Sequence, residues 1–251
     1  MITAYHRPHT LDDALALLRR PSPQTVPLGG GTLLAHEKTA SLEVVDLQAL
    51  SLDHITGQGK NLEIGAAVTL QALLEHEGIP TAMQPALKLE APLNLRNAAT
   101  VAGTLVTCDG RSTFTTIMLA LDARLSVYQL PAGTEVTLSL GAFLTLRPAC
   151  LITSLTIPMQ VRLAFEYVSR TPADKPIVCV AAAQWPSGRT RLAVGGYGSA
   201  PRLGMDGTEA EGIETAASNA FHDSGDDWGS AEYRMDVAAT LARRCLSTLS
   251  A

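Results

Sequence analysis

Three consecutive glycines, Gly29, Gly30 and Gly31, sit between a β-branched strand signal and an apolar run in the stretch TVPLGGGTLLA, residues 25–35. Each glycine adds entropy to the unfolded chain, and each permits a positive φ or the close approach of another backbone or a ligand. The chain must leave regular structure here. A tight turn accounts for the tripeptide, and so does a nest of backbone N–H groups that holds an anion such as a phosphate.

The flanks of this loop narrow the architecture. Thr10 can cap a helix over LDDALALLRR, with Asp12 and Asp13 in its first turn and Leu11, Ala14, Leu15 and Leu18 on one face. Pro21 and Pro23 stop it. QTVPL reads as a short strand before the glycines and LEVVDL, residues 42–47, as another after them. A second unit opens at LEIGA, which alternates as a strand, and Thr69 can cap a helix from Leu70 that Gly78 ends. TAMQPALKLEA and FTTIMLALDA read as helices, and RLSVYQL, TEVTLSL and CLITSLTIP as strands. A third unit brings FEYVSR, IVCVAAAQW and TRLAVGGYG as an antiparallel meander. EGIETAASNAF can form a helix, and Ser230 caps a final one over SAEYRMDVAATLARRCLSTL. Tyr233, Val237, Leu241 and Cys245 make that helix's stripe. VGGYGSAP runs from a strand into proline and reads as a strand-end turn. Strand-rich sheets with segregated helices predict an α+β protein, divided at 1–55, 56–160 and 161–251.

Composition removes several functions. The formal charge is −5 with both signs interspersed, which gives no footprint for nucleic acid. No charged leader with an apolar core opens the chain and no apolar run approaches 18 residues, so a cytoplasmic protein without a membrane segment is expected. Cys108, Cys150, Cys179 and Cys245 have no C-x-x-C or C-x-x-H spacing, so no iron–sulfur cluster or structural zinc is expected on this chain. The six histidines make no ligand motif, and no nucleophile elbow, Walker A sequence or G-x-G-x-x-G is present. With no catalytic residue and no metal set in view, any chemistry falls to a bound cofactor.

A second small-residue stretch, NLRNAATVAGTLVT (residues 94–107), bears on the first. Two loops of glycine, amide and hydroxyl residues, one per α/β unit, can face each other across a cleft that suits a cofactor with a central pyrophosphate. Ordinary packing loops at a unit interface explain the same residues.

The order PLGGGTLL, LRNAATVAGTL, LALDA, ITSLTIP, FEYVSR and SAEYRMDVAATLARRCL resembles the FAD-binding medium subunit of the molybdenum hydroxylases. That family includes the medium chain of carbon monoxide dehydrogenase and the flavin domain of xanthine dehydrogenase, and the resemblance covers nearly the whole chain. It implies a two-subdomain, PCMH-type FAD-binding fold with a C-terminal α/β cap of three antiparallel strands and helices. Carried over by position, Leu28, Gly29, Gly30, Gly31, Thr32 and Leu33 would wrap the FAD pyrophosphate. Thr100, Val101, Ala102, Gly103 and Thr104 would form a second phosphate turn. Ile152 would lie near the flavin or adenine end, and Tyr167, in FEYVSR, beside the isoalloxazine ring.

Several positions depart from the family pattern. Gly29 replaces an alanine and Leu33 an aspartate in the first loop; Ala102 and Thr104 replace glycine and asparagine in the second. The aspartate that holds the cofactor's sugar hydroxyls in the family falls on Thr113, with Asp109 four residues earlier as a substitute, and the lysine of F-x-K is Tyr167. The resemblance implies an oxidoreductase subunit that passes electrons from [2Fe–2S] clusters of a small partner through FAD to an external acceptor. A large partner would carry the molybdenum cofactor, in a dimer of heterotrimers. The alternative is a flavin-free structural subunit that kept the fold.

Overall fold

A computed structural model describes residues 2–33 and 41–250. The apolar run from Leu34 and the histidine at 36 lie outside them. In chain order, β1 (Ile2–His6) leads to α1 (Leu11–Leu18), β2 (Thr25–Leu28) and β3 (Leu42–Asp46). β4 (Ile55–Gln58) and β5 (Asn61–Gly65) precede five short helices: α2 (Leu70–Glu75), α3 (Met83–Glu90), α4 (Leu93–Arg96), α5 (Val101–Thr107) and α6 (Thr113–Ala120). β6 (Arg124–Gln129), β7 (Glu135–Ser139), α7 (Leu140–Leu146) and β8 (Cys150–Pro158) follow. The chain closes with β9 (Arg162–Val168), β10 (Val178–Gln184), β11 (Thr190–Gly195), β12 (Arg202–Gly207), α8 (Ile213–Asn219) and α9 (Ala231–Ser250).

Two compact units result, and neither is one continuous stretch. The first holds Met1–Glu75, Leu93–Thr107 and Arg124–Thr156; the second holds His76–Pro92, Cys108–Ala123 and Ile157–Ala251.

In the first unit β1, β3 and β2 form a parallel sheet in that order. The Thr10 hydroxyl accepts the Asp13 N–H at 3.2 Å, which starts α1 as the sequence expects. Ala14, Leu15 and Leu18 on its inner face pack on Val45, Leu47 and Leu151. The five-stranded sheet runs β4-β5-β8-β6-β7. Arg147 adopts a left-handed φ of 44° after α7, and its guanidinium donates to the carbonyls of Leu105 (3.1 Å) and Val106 (2.9 Å), a cationic cap on α5.

The second unit contains the expected meander β9-β10-β11, extended by a fourth antiparallel strand, β12, which the sequence reading did not mark. One face, with Val178, Val180 and Ala182, packs against α8 and α9. α6 packs on β10 and β11 and is buried along its whole length. Glycines make that contact close: a Cβ on Gly110 would lie 1.9 Å from the Tyr197 carbonyl oxygen, and one on Gly195 would lie 2.4 Å from Thr116 Oγ1. VGGYG is a strand-end turn, as read, because β11 stops at Gly195 and Gly196 takes φ 129°. Burial raises the thiol pKa of Cys179 and of Cys245 to about 12, so both are inert packing groups.

The stripe of α9 differs from the expectation at one residue. Arg234, not Tyr233, is wholly buried, and Tyr233 is exposed. The Arg234 charge is acceptable there because Asp226 lies 2.7 Å away and the carbonyls of Ser224 and Gly229 accept its N–H groups. Among the described residues no helix is long and apolar enough to cross a membrane, and no group of three or more His, Cys, Asp or Glu side chains could hold a metal ion.

A second charge cluster joins the end of α6 to the sheet. Arg189 reaches Asp206 at 2.8 Å and Asp122 at 3.0 Å, and Arg191 reaches the same two carboxylates at 2.5 and 3.3 Å. The Arg189 hydrogen bond, then the Arg191 charge, holds the Asp206 carboxyl below its usual range. That contribution is present above an ordinary carboxylate pKa of about 4 and is lost as pH falls through the lowered value. Asp206→Asn is therefore expected to cost about 1–2 kcal/mol near neutral pH, and the two proteins should converge in strong acid. Melting curves across pH test this; equal stability at pH 7 would show the pair to be screened.

Candidate functional site

β2 delivers the chain to the glycine loop. Its last ladder bond is Leu47 N–H to the Leu28 carbonyl at 3.1 Å, and beyond it the backbone departs from β3. Gly30 passes so close to the second loop that a Cβ would lie 1.6 Å from the Ala98 carbonyl oxygen. A Cβ on Gly29 would lie 2.7 Å from Thr100 Oγ1. Gly31 takes φ 68°, and among the described residues a Cβ there would meet Leu28 Cδ1 alone, at 3.4 Å. The three glycines thus serve two purposes. Gly29 and Gly30 let the two loops touch, and Gly31, at positive φ, turns the backbone.

Thr100 organises the second loop. Its Oγ1 accepts the Gly103 N–H at 3.1 Å, and its carbonyl accepts both the N–H (2.9 Å) and the hydroxyl (2.8 Å) of Thr104. The N–H groups of Val101 and Ala102 go to the carbonyls of Val68 and Ala66. This stretch is helical rather than a plain loop, despite Gly103.

The two loops and the start of β8 enclose a cleft of about 370 Å³ within the first unit, inside the size range of small-molecule sites. Gly29, Gly30, Gly31, Thr32, Leu33, Thr100, Ala102, Gly103 and Ile152 line it. Leu28, Val101 and Thr104 stand beside the cleft and do not line it. Asp109, Thr113 and Tyr167 belong to the second unit. Asp109 accepts the Arg111 N–H at 2.9 Å and faces Lys175 at 3.5 Å. Thr113 is buried; its hydroxyl donates to the Ala86 carbonyl at 2.7 Å and lies 3.2 Å from Glu90. Tyr167 is exposed on β9 and stacks on Phe165, centroids 5.8 Å apart.

The sequence reading missed Val26, Pro27, Leu47, Ala66, Val106, Thr107, Cys150 and Leu151, the other described residues of the lining. Part of this was readable: pairing β2 with β3 through Leu28 and Asp46 puts Leu47 at the loop, and Leu151 precedes Ile152. Burial raises the pKa of the Cys150 thiol.

The chemistry of the cleft follows from this lining. Among the described residues no charged side chain faces it. The N–H groups of Gly30, Gly31 and Thr32 donate to no backbone carbonyl among the described residues. Unpaired amide donors at a small-residue wall, with threonine hydroxyls and apolar groups around them, fit an anion carried on a larger apolar or aromatic body. A pyrophosphate flanked by ring systems has that character.

Residues 1–160 match the family described as FAD binding domain in molybdopterin dehydrogenase. The chain is 30% identical over 248 residues to the protein YgfM of Escherichia coli, covering 96% of this chain and 94% of that one. It is 27% identical to the carbon monoxide dehydrogenase medium chain of Afipia carboxidovorans, covering 98% and 96%. Among solved structures, CO dehydrogenase from Oligotropha carboxidovorans aligns with a TM-score of 0.81 at 24% identity, over 98% of this chain and 96% of that one. Quinoline 2-oxidoreductase from Pseudomonas putida 86 aligns at 0.80 and 21%, with the same coverage. The structural likenesses establish the fold. The domain match over more than half the chain and the full-length relative at 30% identity establish the family, and this chain belongs to the FAD-binding domains of the molybdopterin dehydrogenases.

Proposed function

We propose that this chain is the FAD-binding electron-transfer subunit of a cytoplasmic molybdenum hydroxylase complex. It would take electrons from [2Fe–2S] clusters on a small partner and pass them to an external acceptor. Molybdenum chemistry would reside on a large partner, with the whole assembled as a dimer of heterotrimers. The single observation that carries the reading is the row of N–H donors at Gly30, Gly31 and Thr32 that meet no backbone acceptor among the described residues, in a cleft where no described residue places a charge. FAD, when bound, supplies the redox chemistry that this chain's own side chains lack. The residues' part is to hold and orient it. The glycine-loop N–H groups would take the pyrophosphate oxygens, and Ala102 and Gly103 leave room for it. Val26, Leu47, Leu151 and Ile152 would exclude water from its apolar parts. The flavin-free alternative is disfavoured because that subunit would have no use for an open N–H row.

The test uses Gly31, whose left-handed φ asparagine and aspartate both tolerate better than other side chains. Gly31→Asn and Gly31→Asp are nearly isosteric and differ in charge. A carboxylate about 4 Å from a phosphate costs roughly 1–4 kcal/mol. Gly31→Asp is expected to lose FAD affinity tenfold or more relative to Gly31→Asn, measured by flavin absorbance and titration of the apoprotein. Equal retention in the two would remove the phosphate from this loop. No flavin uptake by the wild-type chain would establish the structural alternative.

A further inference from the structure

Trp228 lies in the second unit on the loop that precedes α9, and it is 42% exposed. Two guanidinium groups lie over its ring, Arg111 at 4.3 Å and Arg170 at 4.6 Å. Arg111 directs Nε and Nη2 to the carbonyls of Pro176 and Lys175, and its Nη1 has no acceptor among the described residues. Arg170 makes one long contact, Nη2 to the Asp227 carbonyl at 3.4 Å. Among the described residues neither has a carboxylate within 4.0 Å, whereas Arg7, Arg20, Arg189, Arg191, Arg234 and Arg243 each do. Two of the carboxylates close in sequence or space are engaged elsewhere, Asp109 with Lys175 and Asp226 with Arg234. Asp227 is exposed beside the ring in sequence.

The tryptophan is held in place without a ligand. Asp226 Oδ1 accepts the N–H groups of Trp228 (2.8 Å) and Gly229 (3.2 Å), and buried Arg234 holds Asp226. Tyr233, also exposed, flanks the loop one helical turn into α9. Two guanidinium groups with no ion-pair partner among the described residues, on a fixed, exposed indole, are unusual in a chain of net charge −5.

We propose that this patch docks a polypeptide that presents paired carboxylates, namely the iron–sulfur subunit of the complex inferred above. A guanidinium takes a carboxylate through two parallel hydrogen bonds, and stacking on the indole fixes its plane beforehand. The ring edge and Tyr233 offer apolar surface to the carboxylate stems. Arginine, tryptophan and tyrosine are the residue types that carry most interface energy when they sit together in an ordered cluster. A nucleic acid fits less well, because its phosphate rows need many more cations than this acidic chain gathers here.

The experiment purifies the tagged full-length chain from its own host, as wild type and as the R111E/R170E double variant. The partner is followed by its iron–sulfur absorbance and by stoichiometry on the gel. The expected result is at least a tenfold weaker association in the double variant, with FAD content and melting temperature kept. R170E alone avoids the carbonyl contacts of Arg111, so it guards against a folding defect and should also weaken association. R111K/R170K, which keeps the charge and loses the fork, should fall between. Wild-type stoichiometry in R170E and in the double variant would overturn the proposal, as would occupation of the patch by nucleic acid. Because this inference rests on the complex, FAD content separates the failures. A wild type without FAD or partner sinks the functional reading, whereas a flavin-loaded variant with its partner still bound sinks this one.

Discussion

Thr113→Asp is expected to lower the melting temperature by roughly 6–20 °C, corresponding to about 3–5 kcal/mol. The family pattern would favour an aspartate at this position, yet the local structure opposes it. Thr113 is fully buried in the second unit at the start of α6. Its hydroxyl donates to the Ala86 carbonyl at 2.7 Å, and Glu90 Oε2 lies 3.2 Å away. The same Glu90 oxygen accepts the Ser112 hydroxyl and the Phe114 N–H, both at 2.9 Å. A carboxylate for the beginning of α6 is thus already present, supplied from the end of α3. A second one would face the Glu90 oxygen directly, and Lys175, 3.8 Å from the other Glu90 oxygen and shared with Asp109, is already committed. Thr113→Val removes the hydroxyl without adding charge and should cost about 1–2 kcal/mol for the bond lost at Ala86. Calorimetry on the three proteins separates charge from hydrogen bonding. An unchanged melting temperature in Thr113→Asp would mean that the new side chain turns out of reach of Glu90.

Arg234→Ala should be of similar size, about 3–5 kcal/mol, because it removes the counter-charge of Asp226 and the guanidinium N–H groups that three carbonyls accept, and empties a fully buried site. The guanidinium is fully buried. It pairs with Asp226 at 2.7 Å, donates to the carbonyls of Gly229 at 2.8 Å and Ile177 at 3.4 Å and also of Ser224, and lies 5.2 Å from the Tyr197 ring centroid. Arg234→Lys supplies a point charge in place of a planar fork and should restore less than half of the loss. Amide exchange at Trp228 and Gly229, whose N–H groups rest on Asp226, should accelerate in both variants. Unchanged exchange would show that the Ser224–Gly229 loop holds without the arginine.

Local chemistry was the most legible part of the chain. Thr10, Thr69 and Ser230 sit where a side-chain oxygen can take an N–H three residues on, and each does so at 3.1–3.2 Å. Alternation likewise marked β5, and apolar runs between turn residues marked β8 and β10, whose faces are largely buried. α5 was hidden because Gly103 and four β-branched residues lower its intrinsic propensity. Tertiary bonds from Val101 and Ala102 to the carbonyls of Val68 and Ala66 override that preference. β1, β4, α7 and β12 were missed because each is short, with an indistinct pattern of mixed exposure. At the cleft, glycine and threonine positions were readable from composition. The apolar lining was not, because Val26, Leu47 and Leu151 look like any core residue until strand register places them. Arg234 escaped for the opposite reason: a charge in a helical stripe signals solvent unless its partner, eight residues upstream, is known.

The interleaving of the two units bears on how the chain comes off the ribosome. Residues 1–160 match a family domain, yet α3 and α6 within that span belong with strands made later. Phe114, Ile117 and Met118 are fully buried, and α6 rests on β10 and β11. Those strands begin at Val178 and end at Gly195. At about 5–20 residues per second, roughly 80 residues of further synthesis separate the birth of α6 from the sheet that covers it, a wait of several seconds. Through that interval its apolar surface is a natural target for holdase chaperones, and a ribosome that stalls before Gly195 releases a chain with that surface bare. A stop codon near 160, however well it matches the family boundary, reproduces that orphaned intermediate permanently.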